Sequence, residues 1–260
     1  LEANTVAQHK LDLKENAIDS FNEALTKYRS GLAGSAKAFK FSILHLSHSL
    51  ELLFKYYVSQ AHPLLIYRNP FSKNIAKEPT IGLWDAIQFL QNEGASLDKD
   101  FLSDLAWLKR LRNDIEHYAF DMDLPTARRT MGRMVQAIND FHQEISSEDI
   151  EDFVSRENFE LFSELINENQ RDLGNARIEA KELTEDQRAH SCRSCGYEDT
   201  AAMISNVITC QYCGEMDEVI YCCICGDRTR TSDSILWNDD HESRPDYACD
   251  ACAERIHHMD

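Results

Sequence analysis

The chain is short of the residues that break helices: only five prolines and nine glycines occur in 260 residues. Long uninterrupted stretches are therefore left free for helices. No cysteine appears before residue 192. No apolar run approaches the ~20 residues needed to cross a membrane as a helix, which excludes that class. The opening LEANTVAQ lacks the basic and apolar regions of a secretory signal, so a cytoplasmic location and no membrane association are expected. Basic residues are in deficit too, with 27 Lys and Arg against 45 Asp and Glu and a formal net charge of -18. Coating nucleic acid without discrimination is excluded, because such binding depends on Lys and Arg displacing counterions from phosphate.

The acidity is unevenly spread. Lys and Arg number 17 against 18 Asp and Glu in residues 1–146, 5 against 13 in 147–190, and 5 against 14 in 191–260. Any nucleic-acid contact is therefore assigned to the nearly neutral N-terminal region. Apolar residues recur at helical spacing over 6–29 and 36–59 without Pro or Gly, predicting two long helices. The stretch PLLIYRNPFSKNIAKEPT holds three of the five prolines and reads as an irregular connection. Thr80 is expected to cap a short helix through Asn92, ended by Gly94. Further helices are expected over about 98–119 and from Pro125 to about Glu144. Together these predict a mainly α fold, an antiparallel helical bundle over 1–146. Residues 147–190 read as an acidic helical connector, a solvated spacer broken near Gly174. From 191 short strands and turns take over.

All nine cysteines fall within residues 192–252, and eight of them form four CxxC pairs: Cys192/Cys195, Cys210/Cys213, Cys222/Cys225 and Cys249/Cys252. Two sulfurs two residues apart can share one zinc ion, and two such pairs complete a tetrahedron. Gly196, Gly214 and Gly226 each follow a second cysteine, where a positive-φ residue closes the turn. Two structural Zn2+ ions are expected in a small β-rich module of zinc-ribbon or treble-clef type over 191–260. Sequential pairing is the simplest arrangement and an interleaved one the alternative. Cys223 is left over, with His241, His257 and His258 as substitute ligands of lower standing. Full thiolate coordination leaves no open position, so these sites are read as structural.

The second notable stretch is RLRNDIEHY at 110–118. On a helix Leu105, Leu108, Leu111, Ile115 and Ala119 form one apolar stripe, and Arg112 falls inside it. A guanidinium withdrawn from water needs an anion, and Glu116 is the obvious local partner. Arg112-Asn113-Asp114-Ile115-Glu116-His117 forms an Arg-x4-His motif with a polar residue after the arginine. With HLSHSLELLFKYY upstream at 45–57, it resembles the HEPN superfamily over roughly residues 33–146. That resemblance implies a helical bundle that is commonly a homodimer and, in many members, a metal-independent ribonuclease. His117 would exchange protons with the 2'-hydroxyl or the leaving 5'-oxygen, Arg112 would pair with phosphate, and Asn113 would orient a ligand or His117. One departure is that Ala119 stands where a toxin subset of the family carries tyrosine, with Tyr118 directly after His117.

Six cations, Lys109, Arg110, Arg112, Arg128, Arg129 and Arg133, lie on the two helices flanking the motif and suggest a local funnel for phosphate. The expected function is a homodimeric endoribonuclease cleaving RNA by 2'-hydroxyl attack, in a toxin or anti-phage defence role with an antitoxin or defence-system partner. The alternative is a non-catalytic dimerisation, nucleotide- or RNA-binding protein in which Arg112 pairs locally, with the zinc module as a recognition surface. A third reading takes interleaved zinc sites as a protein-interaction finger of ubiquitin-ligase type.

Overall fold

A computed structural model of the chain describes residues 11–97, 99–117, 124–146, 148–184, 188–238 and 246–257. Among these the protein is mostly helical, followed by a small antiparallel sheet region that carries the cysteines. The chain divides into two compact units, Leu1–Asn169 and Gln170–Asp260. None of the described helices is long and apolar enough to cross a membrane.

The first unit opens with α1 (Leu13–Leu32) and α2 (Ala36–Ala61). Asp12 caps α1, accepting from the Glu15 amide at 2.8 Å while the Glu15 carboxylate takes the Asp12 N–H at 3.0 Å. This reciprocal box satisfies two donors that a helix start leaves unpaired. The two helices run antiparallel: Ser42 Oγ donates to the Ala24 carbonyl and Ser49 Oγ to the Ala17 carbonyl, both at 2.8 Å. Glycine is required where the hairpin closes, because a Cβ on Gly31 would stand 2.6 Å from the Phe39 ring.

Beyond α2, residues 63–81 run through two short 3-10 turns to α3 (Leu83–Asn92). The expected cap at Thr80 is corrected to Gly82, whose N–H donates to the Asp85 carboxylate at 3.0 Å. Thr80 is engaged elsewhere, its hydroxyl accepting from Lys55 Nζ at 2.9 Å. Helices α4 (Lys99–His117) and α5 (Leu124–Ile145) complete the core with the first half of α6 (Phe159–Leu183). Leu105, Leu108 and Ile115 are buried and Leu111 partly so, as the stripe predicted. Tyr118 and Ala119 lie outside the described residues, as do Asp98 and residues 6–10 of the first expected helix.

Two expectations change. Gly174 does not break α6, which continues to Leu183; no neighbour crowds that position, and one glycine costs only about 1 kcal/mol in a helix. Nor is this segment a solvated spacer, since Leu161, Phe162 and Leu165 are buried in the helical core. They lie at helical spacing, but the surrounding acidic residues obscured the stripe.

Arg133 is 3% exposed and pairs with buried Asp104, its Nε donating to Oδ1 at 2.8 Å while the guanidinium sits 4.3 Å above the Trp107 ring. A buried pair is a weak source of net stability, but halving it strands a charge at a cost of ~3–5 kcal/mol. Arg133→Ala should therefore lower the melting temperature of the helical unit by about 10 °C. Asp104→Leu combined with Arg133→Met should recover most of that loss in a double-mutant cycle.

His142 is fully buried, its Nδ1 sharing a 2.9 Å hydrogen bond with the Tyr57 hydroxyl. Burial lowers its pKa, and the nearby Lys14 charge adds to that. A depressed histidine pKa means that the folded state binds fewer protons, so its stabilising effect is complete above the unfolded value near 6.5 and is lost as pH falls below it. His142→Asn should flatten the decline in melting temperature between pH 7 and pH 5.

In the second unit β1 (Ala201–Ile204), β2 (Val207–Cys210), β3 (Met216–Tyr221) and β4 (Arg228–Arg230) form an antiparallel meander in that order. A two-stranded sheet of β5 (Ser234–Asn238) and β6 (Asp246–Cys249) leads into α7 (Asp250–His257). The small core holds Tyr197, Tyr212, Ile208, Ala201 and Ala176 beside three of the cysteines.

Candidate metal centres and the Arg112 cleft

The structure gathers eight cysteines into two groups, Cys192, Cys195, Cys210 and Cys213, and Cys222, Cys225, Cys249 and Cys252, each with all sulfurs within 4.8 Å of one another. This is the sequential grouping rather than the interleaved one. Sulfur–sulfur distances of 3.6 Å (Cys192–Cys213), 3.8 Å (Cys195–Cys210) and 4.0 Å (Cys225–Cys249) are too long for a disulfide, which closes near 2.05 Å. They suit the edge of a tetrahedron built on metal–sulfur bonds of about 2.3 Å. Each group therefore fits one tetrahedral metal ion.

The local sequence explains the geometry. Gly196, Gly214 and Gly226 adopt φ of 81°, 78° and 77°, and each returns its N–H to the first cysteine's carbonyl at 2.9 Å. Three alike turns thus present three of the CxxC pairs. The fourth is built differently, with Cys249 ending β6 and Cys252 in the first turn of α7. There Arg255 Nη2 donates to Cys252 Sγ at 2.9 Å, setting a positive charge against a thiolate-rich site. In the first group backbone amides at 3.4–3.5 Å point at Cys192 and Cys210. Crowding of its sulfurs spreads their acidities, Cys192 being drawn down to about 7 chiefly by hydrogen bonding with Cys195, while Cys195 is pushed up.

Burial separates the two sites. Cys192, Cys195 and Cys210 are buried in the first, whereas Cys225 is exposed and Cys249 half-buried in the second. Cys223 is exposed and belongs to neither group; its N–H donates to the Tyr247 carbonyl at 2.9 Å. His241 and His258, and the side chain of His257, lie outside the described residues.

In the helical unit, Arg112 meets two carboxylates. Its Nε donates to Glu116 at 2.9 Å, one turn along α4, and its Nη1 to Glu51 on α2 at 3.1 Å. Glu51 also accepts from Lys55 Nζ at 2.6 Å, which extends the chain of charges to Thr80. Burial alone would raise the Glu51 pKa, but the hydrogen bond and charge of Lys55, followed by those of Arg112, outweigh it and hold the carboxyl below its ordinary value. Glu51 is thus ionised at neutral pH, and what this network contributes is lost as pH falls through that lowered pKa. The Glu51–Lys55 pair is local, one helical turn apart, whereas the link from Glu51 to Arg112 spans 61 residues and no spacing in the sequence announces it.

The Arg112 side chain is 39% exposed and lines a cleft of ≈ 400 Å³. Asn113, Lys109, Glu116 and Glu51 share that lining with Ser47, Trp84 and Asp85. His117, exposed in the last turn of α4, is not among the described residues that line it. The structure therefore brings Arg112 and Asn113 to one cleft and leaves His117 apart from it within one chain. The expected funnel of six cations is reduced as well: Arg133 is buried against Asp104, and Arg128 is bound by Glu168 at 2.8 Å and Glu164 at 3.4 Å. No family model, curated protein or solved structure matches the chain.

Proposed function

We propose that the helical unit is a HEPN-type endoribonuclease, independent of metal and acting as a homodimer, joined to a module held by two structural zinc ions. The observation that carries this reading is Arg112, drawn from an apolar stripe on α4 to Glu51 on α2 at the mouth of a cleft large enough for a nucleotide. Fixing a guanidinium between two carboxylates sets its direction before a phosphate arrives, which suits stabilisation of the charge that builds as the 2'-oxygen attacks. His117 is the general acid–base on this reading, and Asn113 orients phosphate or imidazole. Zinc is favoured at both tetrathiolate sites because it takes four thiolates without redox change. A toxin or anti-phage defence role rests on the family resemblance alone.

A second reading has its own support: the pairing of Arg112 with Glu116 and Glu51, and the absence of His117 from the described residues that line the cleft, suit a unit that binds RNA or nucleotides without cutting. Incubating the full chain with total RNA in buffer without added divalent cations decides between them. The ribonuclease reading requires cleavage that needs no added magnesium or manganese and leaves 2',3'-cyclic phosphate ends; binding without new ends selects the second.

A further inference from the structure

The Arg112 cleft contains more than an arginine. Trp84 stands in the first turn of α3 with Lys109 Nζ 5.9 Å from its ring centroid, so an indole and an ammonium share one wall. Asp85 lines the same cleft, and its Oδ2 is tied to the Gly82 N–H at 3.0 Å. That bond holds the carboxylate at the edge while leaving Oδ1 and a lone pair of Oδ2 for a ligand. We propose that this cleft is a nucleotide subsite in which the base stacks on Trp84, the phosphate meets Lys109 and Arg112, and Asp85 selects guanine.

Three kinds of chemistry converge on that assignment. A base offers a flat face to an indole, and such stacking is favourable whatever the base because every base has a π-face. The two lining cations can meet one phosphate, whereas a purely apolar ligand would leave them unanswered. Carboxylates outnumber those cations in the lining, Glu51, Asp85 and Glu116 against Lys109 and Arg112, so a bare anion is poorly matched. Glu51 and Glu116 are already engaged by Arg112, and Asp85 is the carboxylate left to face the ligand. Guanine alone among the four RNA bases presents two adjacent N–H donors, N1–H and the 2-amino group, which a carboxylate accepts together.

The inference deepens the nucleic-acid reading of this site, and its test separates the two. The full chain is titrated with GMP, AMP and UMP while tryptophan fluorescence is followed; Trp107 lies beneath Arg133 and Trp237 belongs to the other unit. Quenching by GMP should be saturable, at least tenfold tighter than by UMP, and absent in Trp84→Leu. Trp84→Tyr, which keeps a stacking face, should retain GMP affinity in competition with a fluorescent guanosine monophosphate, so a folding defect in the leucine variant leaves the stacking claim testable. Asp85→Asn keeps an acceptor for the Gly82 N–H and should erase the preference for GMP over UMP. Quenching that persists in Trp84→Leu, or equal affinity for all three nucleotides, overturns the proposal even if RNA is cleaved. Trp84-dependent GMP binding without RNA cleavage leaves the subsite standing and sinks the ribonuclease reading.

Discussion

Stripping metal from the purified protein should unfold residues 191–260 and leave the helical unit folded. The core of the second unit consists of a few residues, Tyr197, Tyr212, Ile208 and small alanines, with three cysteines as part of its wall. So little apolar surface does not fold a domain of this size unaided. A structural zinc ion supplies about 10–16 kcal/mol at neutral pH, more than the whole stability of many domains. The helical unit has its own large core, from Phe21 and Leu25 on α1 to Phe141 on α5, and none of its described residues belongs to a cysteine group. Loss should occur in two steps, because Cys225 and Cys249 are accessible whereas three of the four sulfurs of the first site are buried. A chelator should remove one metal equivalent rapidly, with a change in Trp237 emission, and the second slowly with loss of the sheet. Acidification should act in the same order, since protons compete with metal for thiolates as pH falls. Metal analysis finding about two zinc ions per chain is the required starting point. Finding none, with disulfides in their place, would overturn the assignment.

The cysteine groups that could hold metal were legible in the sequence because a CxxC spacing is a local statement: two sulfurs and, in three of the pairs, the glycine behind them are fixed within five residues. The grouping of pairs was less so, since it depends on how β1 to β3 and β6 bring distant turns together. Helices α1 to α5 were visible in their apolar period, with errors of a few residues where a cap decided the boundary. The Asp12–Glu15 box and the Gly82–Asp85 bond are such cases. What periodicity cannot reveal is which charged side chain faces which across the packing. Arg133 read as a surface cation because nothing nearby in sequence announced Asp104, 29 positions away. The Glu51–Arg112 link escaped for the same reason, although Arg112 itself was visible as a charge misplaced in an apolar stripe.

Replacing Arg112 or His117 by alanine should each reduce RNA cleavage by about 10²–10⁴-fold if the unit is the proposed ribonuclease, the range typical for loss of a positioned acid–base or charge-stabilising group. The two residues sit on the same helix, α4, which remains helical through His117. Five residues at 3.6 per turn place them about 140° apart, so one chain does not aim both at one phosphate. The absence of His117 from the described lining of the Arg112 cleft agrees with that geometry. The proposed two-fold dimer would resolve the difficulty by bringing two copies of each residue around a common groove, as an isologous interface does for any surface patch. Such sharing has a signature that stability alone does not produce. Co-expressed heterodimers of Arg112→Ala and wild-type chains, purified through two tags, should fall well below half the wild-type activity if both arginines serve one reaction. If arginine and histidine from opposite subunits form two separate sites, a heterodimer pairing Arg112→Ala with His117→Ala should recover up to half, since one composite site remains intact. Melting temperatures within about 2 °C of wild type would confine the losses to chemistry, as expected for a half-exposed arginine and an exposed histidine. Glu51→Gln separates alignment from charge: it keeps an acceptor for Arg112 but releases its negative charge, so a positioning role predicts weakened turnover with RNA affinity unchanged or tighter. A monomer that cleaves RNA at full rate would refute the shared site, and an Arg112→Ala variant as active as wild type would remove Arg112 from the chemistry.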